Sequence, residues 1–405
     1  MQVLVLNCGS SSVRFTVIET RQRRWLIRGL VERIGAVSSI LNWEAMGRPP
    51  ERMVLEIPHH SAAIEQVLRL LVSPPEPWPV PLQIEAVGHR VVHGGETFSG
   101  SVLLTQAVKE AIRDAFDLAP LHNPANLKGI EAAQALLPDV PHVAVFDTAF
   151  HQTLPPEAYL YAIPNRLYRR YRIRKYGFHG PSHYYVSRRY YELTGRPREG
   201  SRLITLHLGN GASAAAIRDG YSVDTSMGFT PLSGLVMGTR SGDIDPSVIF
   251  YLVEKEELTL GEVHALLYRY SGLLGLSGYA SDMRDLLEQA EQGDVRAQQA
   301  LDVYTYRIRF YIGAFMAVLG GLDAIIFTAG VGENSPHIRA RSVFGLEGLG
   351  IILDAERNQR IVGQEGCISA DHSAVQLWVI PTQEELVIAL DTERIALAAR
   401  SSPWV

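Results

Sequence analysis

Polar side chains collect where apolar runs end in this chain. Asn7 follows residues 3–6, Arg90 lies in GHRVVHGG, Asp147 closes residues 143–146, and Asn210 follows residues 203–208. In open α/β sheets, ligands bind beyond the carboxyl ends of the strands. Four such residues in one chain argue for a site rather than for accident.

Three glycine-rich stretches also follow apolar runs: residues 9–12, 209–213 and 330–334. Each is expected to be a turn. Small residues let backbone N–H groups approach phosphate oxygens, and serine hydroxyls add donors. There is no GxxxxGK[ST] pattern and no lysine beside these turns, so a nucleotide site here is not of the P-loop type.

Residues 224–246, DTSMGFTPLSGLVMGTRSGDIDP, are too polar and too rich in small residues for a core element. They read as a long ordered loop, the usual setting for function. Arg240 sits there among small neighbours that leave its guanidinium reachable. His179 and His183 have a spacing that invites a zinc reading. Gly180 and Pro181 interrupt it, and no intervening glutamate is present, so the zinc reading is set aside. Arg169, Arg170, Arg172, Arg174 and Lys175, with tyrosines between them, read as a solvated basic surface.

These side chains need a scaffold. Residues 3–6, a small-residue loop and residues 13–18 read as strand, turn, strand. The same grammar returns at 203–208, 209–213 and 214–217, and Asp219–Gly220 turns the chain into residues 221–224. One supersecondary unit thus occurs once per half, an internal repeat, and two such halves would face each other across a cleft. Helices are expected over 62–71, 106–118, 126–137, 181–193, 246–254, 260–270 and 294–319, and buried strands over 86–92, 142–147, 324–329 and 375–380. The alternation specifies an α/β architecture. Residues 311–332 read as helix, Gly-Gly turn and strand, not as a membrane span. The proline-rich run 74–81 reads as a rigid connector.

Composition bounds the function. With 405 residues, 46% apolar and 20% charged, the chain is long enough for two or three globular domains. A formal net charge of −5 argues against gripping nucleic acid or an anionic membrane. The two cysteines, Cys8 and Cys367, make neither a disulfide framework nor a CxxC metal site. With no basic stretch before the first apolar run, a reducing cytoplasm is the simplest setting.

The segments LVLNCGSSSVRF, GHRVVHGG, PLHNPANLKGI, VFDTAFH, KYGFHGPSH, LHLGNGAS, residues 224–246, SGLLGLSGYASDMRDL, FTAGVGENS and IPTQEEL run nearly end to end and in order. Together they resemble the acetokinase family, within the superfamily of sugar kinases, heat-shock chaperones and actin. The resemblance implies two ribonuclease-H-like halves from a duplication, with ATP in the cleft between them. Residues 1–150 plus 384–405 would form one half and residues 151–383 the nucleotide-binding half. It implies reversible magnesium-dependent transfer of the ATP γ-phosphoryl group to acetate, with Mn²⁺ as an alternative metal, in a homodimer. A propionate-specific enzyme is the near alternative. An actin-like ATPase that forms no acyl phosphate is the distant one.

The resemblance also carries roles to matching positions. Asn7 and Glu384 would stand around the magnesium. Arg90 and Arg240 would hold the acid and the transferring phosphoryl, His179 would stabilise the transition state, and Asp147 would be the active-site acid. Arg14, His207, Leu208, Gly209, Asn210, Gly211, Asp282, Met283, Arg284, Gly330, Val331, Gly332, Glu333 and Asn334 would contact the nucleotide. Val92, Leu121, Phe178 and Pro231 would receive the methyl group. The chain departs from the family at Arg14, commonly Lys, at Ser233, commonly Glu, and at Gln383, commonly Asn. A carboxylic acid is already ionised near neutral pH, so Asp147 has no proton to remove. It is expected instead to organise magnesium through water or to orient an arginine.

Overall fold

A computed structural model describes residues 1–72, 82–120 and 122–401. Leu121 and the proline-rich run 74–81 therefore lie outside the described residues. The chain divides into two compact units, Met1–Ala149 with the chain from Gln383 onward, and Phe150–Thr382.

The first unit carries one sheet of β1 (Gln2–Cys8), β2 (Ser12–Glu19), β3 (Arg24–Glu32), β4 (Ser39–Ala45), β5 (Glu51–Leu55), β6 (Ala86–Val91), β7 (Val102–Leu103) and β8 (His142–Phe146). The strand order is β5-β4-β3-β2-β1-β6-β8-β7. β1 to β5 form an antiparallel meander, while β6 runs parallel to β1 and β8 parallel to β6. The register sets Asn7 opposite Arg14 and Arg90 opposite Val145. One face of the sheet buries Leu4, Leu6, Phe15 and Val17 with Ala63, Ile64 and Val67 of the helix His60–Val72. The helix Glu384–Ser401 packs closely on β6. A Cβ on Gly88 would collide with the Thr392 hydroxyl and come within 2.8 Å of an Ile388 methyl. That close approach brings Glu384, at the start of the helix, to the carboxyl end of the parallel strands.

The second unit repeats the pattern with β9 (Arg202–Leu208), β10 (Ala212–Arg218), β11 (Tyr221–Thr225), β12 (Ala324–Thr328), β13 (Gly366–Cys367) and β14 (Gln376–Val379), in the order β11-β10-β9-β12-β14-β13. β9 pairs antiparallel with β10 and parallel with β12, which pairs parallel with β14. The series β3-β2-β1-β6-β8 and β11-β10-β9-β12-β14 share one topology, so the repeat seen in the sequence is a duplicated ribonuclease-H-like fold of the actin-like ATPase kind. Asp219 and Gly220 have φ of 55° and 77°, the left-handed pair that a two-residue hairpin needs.

The helix Val295–Leu319 begins where Asp294 accepts hydrogen bonds from the backbone of Arg296 and Ala297. It ends at Gly320, with φ 69°. It buries Leu301, Tyr304, Ile308, Ile312 and Phe315. Among the described residues no helix is long and apolar enough to cross a membrane.

Three expectations are corrected. Residues 330–334 are not a turn but part of the helix Ala329–Asn334, because buried Arg339 takes up its last carbonyls. The segment 169–175 is not uniformly solvated. Arg174 is buried, with its guanidinium 3.7 Å from the Tyr159 ring centre, and Lys175 pairs with Asp224 at 2.6 Å. Residues 106–118 are an α-helix, Gln106–Asp114, followed by a separate 3-10 turn, Phe116–Leu118.

Candidate active site

In the first unit the sheet delivers Arg90 from β6 and Asp147 from just beyond β8. Arg90 grips Asp147 with two parallel bonds, Nε to Oδ1 at 2.8 Å and Nη2 to Oδ2 at 2.7 Å. Its Nη1 lies 3.9 Å from Glu384 Oε2. Burial works against the Arg90 charge, but the Asp147 and Glu384 carboxylates outweigh it and raise its pKa. Glu384 is pushed up to about 7, chiefly by burial, with Arg90 opposing and Asp147 and Glu385 adding to the rise.

Asn7, Arg14, Arg90, Glu384 and Glu385 line one small cavity. Asn7 and Glu384 offer one amide carbonyl and one carboxylate, hard oxygen donors that suit magnesium. That ion normally takes one or two carboxylates and fills its remaining positions from phosphate and water. Among the described residues no cluster of three or more His, Cys, Asp or Glu groups is placed to hold a metal ion.

Two buried asparagines hold the loops of this unit. The Asn126 carbonyl accepts from the Val92 backbone at 3.1 Å, and its amide donates to the Cys8 carbonyl at 2.7 Å. It thereby ties the loop after β6 to the end of β1. Asn123 closes a reciprocal pair with the His93 backbone, at 3.1 Å and 2.9 Å.

In the second unit His179 stands at φ 57° immediately before the helix Gly180–Thr194. A left-handed backbone is uncommon in a residue with a Cβ and often marks a functional position. Its Nδ1 is 2.9 Å from Ser213 Oγ, and its ring stacks on His207 at 4.1 Å between centroids. His207 Nδ1 is 2.8 Å from Ser182 Oγ. His183 also reaches Ser213 Oγ, at 2.8 Å from its Nε2. Both members of the His-x-x-x-His pair therefore converge on one serine hydroxyl.

Gly211 brings this cluster to Arg240. A Cβ there would stand 2.7 Å from Nη2 of Arg240 and 3.5 Å from Cε1 of His179. Arg240 donates to the Pro231 carbonyl at 2.6 Å. No carboxylate among the described residues pairs with it, and burial pushes its pKa down. The Gly238 backbone donates to the Asn210 carbonyl at 2.9 Å, so the long loop is fastened to the turn after β9. Phe178 is buried, and its carbonyl is 3.0 Å from His151 Nε2.

Gly209, Asn210 and Gly211 form that turn, following His207 and Leu208 at the end of β9. Asp282 caps the helix Met283–Glu291 and pairs with exposed Arg284 at 2.7 Å, while Met283 is buried. In the helix Ala329–Asn334, the Glu333 carboxylate accepts from the Thr382 backbone at 3.0 Å. Asn334 donates to the Gly330 carbonyl at 2.9 Å. Buried Arg339 donates to the carbonyls of Gly332 and Glu333, both at 2.9 Å.

Asn123, Asn126, Thr205 and Arg339 carry no individual expectation from the sequence, and Ser213, expected as a hydroxyl of the turn 209–213, instead bonds His179 and His183. The two asparagines had a signal, since N-P-A-N places two amides in the first turn of a helix. Arg339 had none, because its five donors are met mostly by backbone carbonyls from distant residues.

The sequence profile described as the acetokinase family matches residues 2–390. An acetate kinase of Desulfitobacterium hafniense (strain DSM 10664 / DCB-2) is 53% identical over 393 residues, covering 97% of this chain and 98% of its own. A crystal structure of Porphyromonas gingivalis acetate kinase superposes with a TM-score of 0.93 at 44% identity, over 97% of this chain and 99% of that one. A propionate kinase from Francisella tularensis subsp. tularensis SCHU S4 does so at 0.91 and 41%, with the same coverage. Matched over nearly its whole length and carrying the duplicated fold, the chain belongs to the acetokinase family.

Proposed function

We propose that the chain transfers the γ-phosphoryl group of ATP to acetate, reversibly, giving acetyl phosphate and ADP. The near-complete match to an acetate kinase at 53% identity carries this reading. The bond formed joins an acetate oxygen to the γ-phosphorus, and the bond broken joins that phosphorus to the β,γ-bridging oxygen.

The obstacle is charge. Two like unit charges 4 Å apart repel by about 4 kcal/mol even at an effective dielectric of 20. Phosphoryl transfer rests mainly on positioning and electrostatic stabilisation. Arg90, Arg240, Arg14 and a hydrogen bond from His179 supply that here. Arg14 stands where the family commonly has lysine and offers a planar fork instead of a point charge. Asp147 acts as a positioning residue, since both its oxygens hold Arg90. Asn7 and Glu384 would hold Mg²⁺, which when bound neutralises phosphate charge; Mn²⁺ has the same ligand taste.

Nucleotide contact is assigned to residues 207–211, 282–284 and 330–334. The methyl group of the acid is assigned to Val92, Phe178 and Pro231. A propionate preference is the second reading, favoured by the structural likeness to a propionate kinase. One methylene shifts discrimination by only about 1–3 kcal/mol. The protein is proposed to act in the cytoplasm as a homodimer, which light scattering would establish.

The test is a hydroxylamine trap. Protein is mixed with Mg²⁺-ATP and, separately, acetate, propionate or butyrate. Hydroxamate forming fastest with acetate supports the reading, faster formation with propionate selects the second, and none from any acid overturns both.

A further inference from the structure

Beside the site, inside the second unit, four side chains form an unbroken line of hydrogen bonds. Thr205 Oγ1 is 2.7 Å from His183 Nδ1. His183 Nε2 is 2.8 Å from Ser213 Oγ. Ser213 Oγ is 2.9 Å from His179 Nδ1. Thr205, His183 and Ser213 are all fully buried, out of reach of bulk solvent.

Counting donors gives the line a direction. A hydroxyl has one hydrogen to donate, and a neutral imidazole has one N–H and one acceptor nitrogen. The Thr205 hydroxyl has a single side-chain partner, His183 Nδ1. It must donate there, or leave a buried O–H unsatisfied. His183 Nδ1 is then an acceptor, and its proton sits on Nε2 and points at Ser213. Ser213 accepts that bond, so its own hydrogen goes to the one partner left, His179 Nδ1. The reversed line would strand the Thr205 hydrogen. This direction requires a neutral His183. Burial, with His151 and His207 close by, holds its pKa well below the usual histidine range.

We infer that Thr205, His183 and Ser213 act as positioning residues that fix neutral His179 as the Nε2–H tautomer, with Nδ1 occupied as an acceptor. The ring then presents a donor to an anionic phosphoryl group without first having to be protonated. Rate would depend on residues that touch no substrate, as it does wherever a second group sets a histidine tautomer. The kinetic consequence rests on the proposed contact between His179 and the phosphoryl group; the tautomer does not.

The experiment is long-range proton–nitrogen NMR on the full chain labelled with ¹⁵N-histidine, with His179→Gln used to assign the signal. Without ligands at neutral pH, the spectrum is expected to show His179 neutral and protonated at Nε2. A wild-type ring protonated at Nδ1 overturns the inference without any variant. Ser213→Ala should introduce the Nδ1–H form and lower kcat roughly tenfold or more, with KM for both substrates changed less than about twofold. Ser213→Thr, which restores the hydroxyl, should recover both the signal and most of kcat. A Ser213→Ala protein with the wild-type tautomer and wild-type kcat also overturns the inference. If His179→Gln turns over normally while the wild-type ring is Nε2–H, the tautomer assignment stands and the assigned role of His179 falls.

Discussion

Arg90 and Asp147 face each other fork to fork, Nε on Oδ1 at 2.8 Å and Nη2 on Oδ2 at 2.7 Å. Both carboxylate oxygens are engaged by one guanidinium, and the carboxylate is buried. Such a group is a good clamp. Of the two duties expected of Asp147, the pair favours orientation of an arginine.

Asp147→Asn keeps the shape and removes the charge. It is expected to lower kcat at least tenfold, because Arg90 loses one of its two anchors. The pH–rate profile under saturating Mg²⁺ should keep its shape. Loss of a titrating limb would instead make Asp147 a base.

Glu384 carries a proton through part of the neutral range, its pKa being about 7 through burial. A cation held there must displace that proton below pH 7, and above it need not. The Mg²⁺ concentration for half-maximal rate should therefore rise as pH falls from 8 to 6, approaching tenfold per unit below pH 7. Glu384→Gln should need far more Mg²⁺ and show no such slope. A requirement that does not vary with pH in the wild type would remove Glu384 from the metal site.

Val92 is half-buried and hangs from Asn126 by its backbone. Val92→Ala should raise propionate over acetate in kcat/KM by up to roughly tenfold, at the low end of a methylene's worth. Equal specificity ratios before and after the change would withdraw Val92 from the methyl contact.

His151 is buried and neutral, its pKa pushed down to about 4 mainly by burial. The unfolded chain binds that proton near pH 6.5, the folded chain only near 4. Stability from this group is thus complete above about pH 6.5 and is lost as pH falls toward 4, by about 3 kcal/mol across the window. Urea midpoints at pH 7, 6 and 5 should fall steadily, and less steeply in His151→Gln. Parallel slopes would mean that His151 is not held neutral.

Much of this was legible in the residues. The strand-turn-strand repeat could be read because β1, β2, β9 and β10 are apolar runs broken by small polar residues. The helix Val295–Leu319 announced itself through Asp294 at one end and Gly320 at the other. The meander strands β3 to β5 were missed. β5 has no buried residue, and β3 carries three arginine or glutamate side chains among its apolar ones, so neither shows a clean alternation. The segment 330–334 misled because glycines signal a turn locally, while Arg339 imposes a helix from a distance. The Arg90–Asp147 pair joins residues 57 positions apart, and the line from Thr205 to His179 depends on a register between β9 and β10 that no local pattern specifies.

The helix Glu384–Ser401 belongs to the first unit, yet the chain reaches it only after passing through the whole of the second. On the ribosome, therefore, the amino-terminal sheet emerges early with the β6 face around Gly88 uncovered, and it waits for more than half the polypeptide before its last layer arrives. Phe150–Thr382 needs no such return and is free to fold as a unit during synthesis. Glu384 arrives with the closing layer, so a nascent chain carries Arg90 and Asp147 long before it can offer the carboxylate beside them. The proposed metal ligand Glu384 is thus made only after the whole of the second unit, together with the layer that covers the first core.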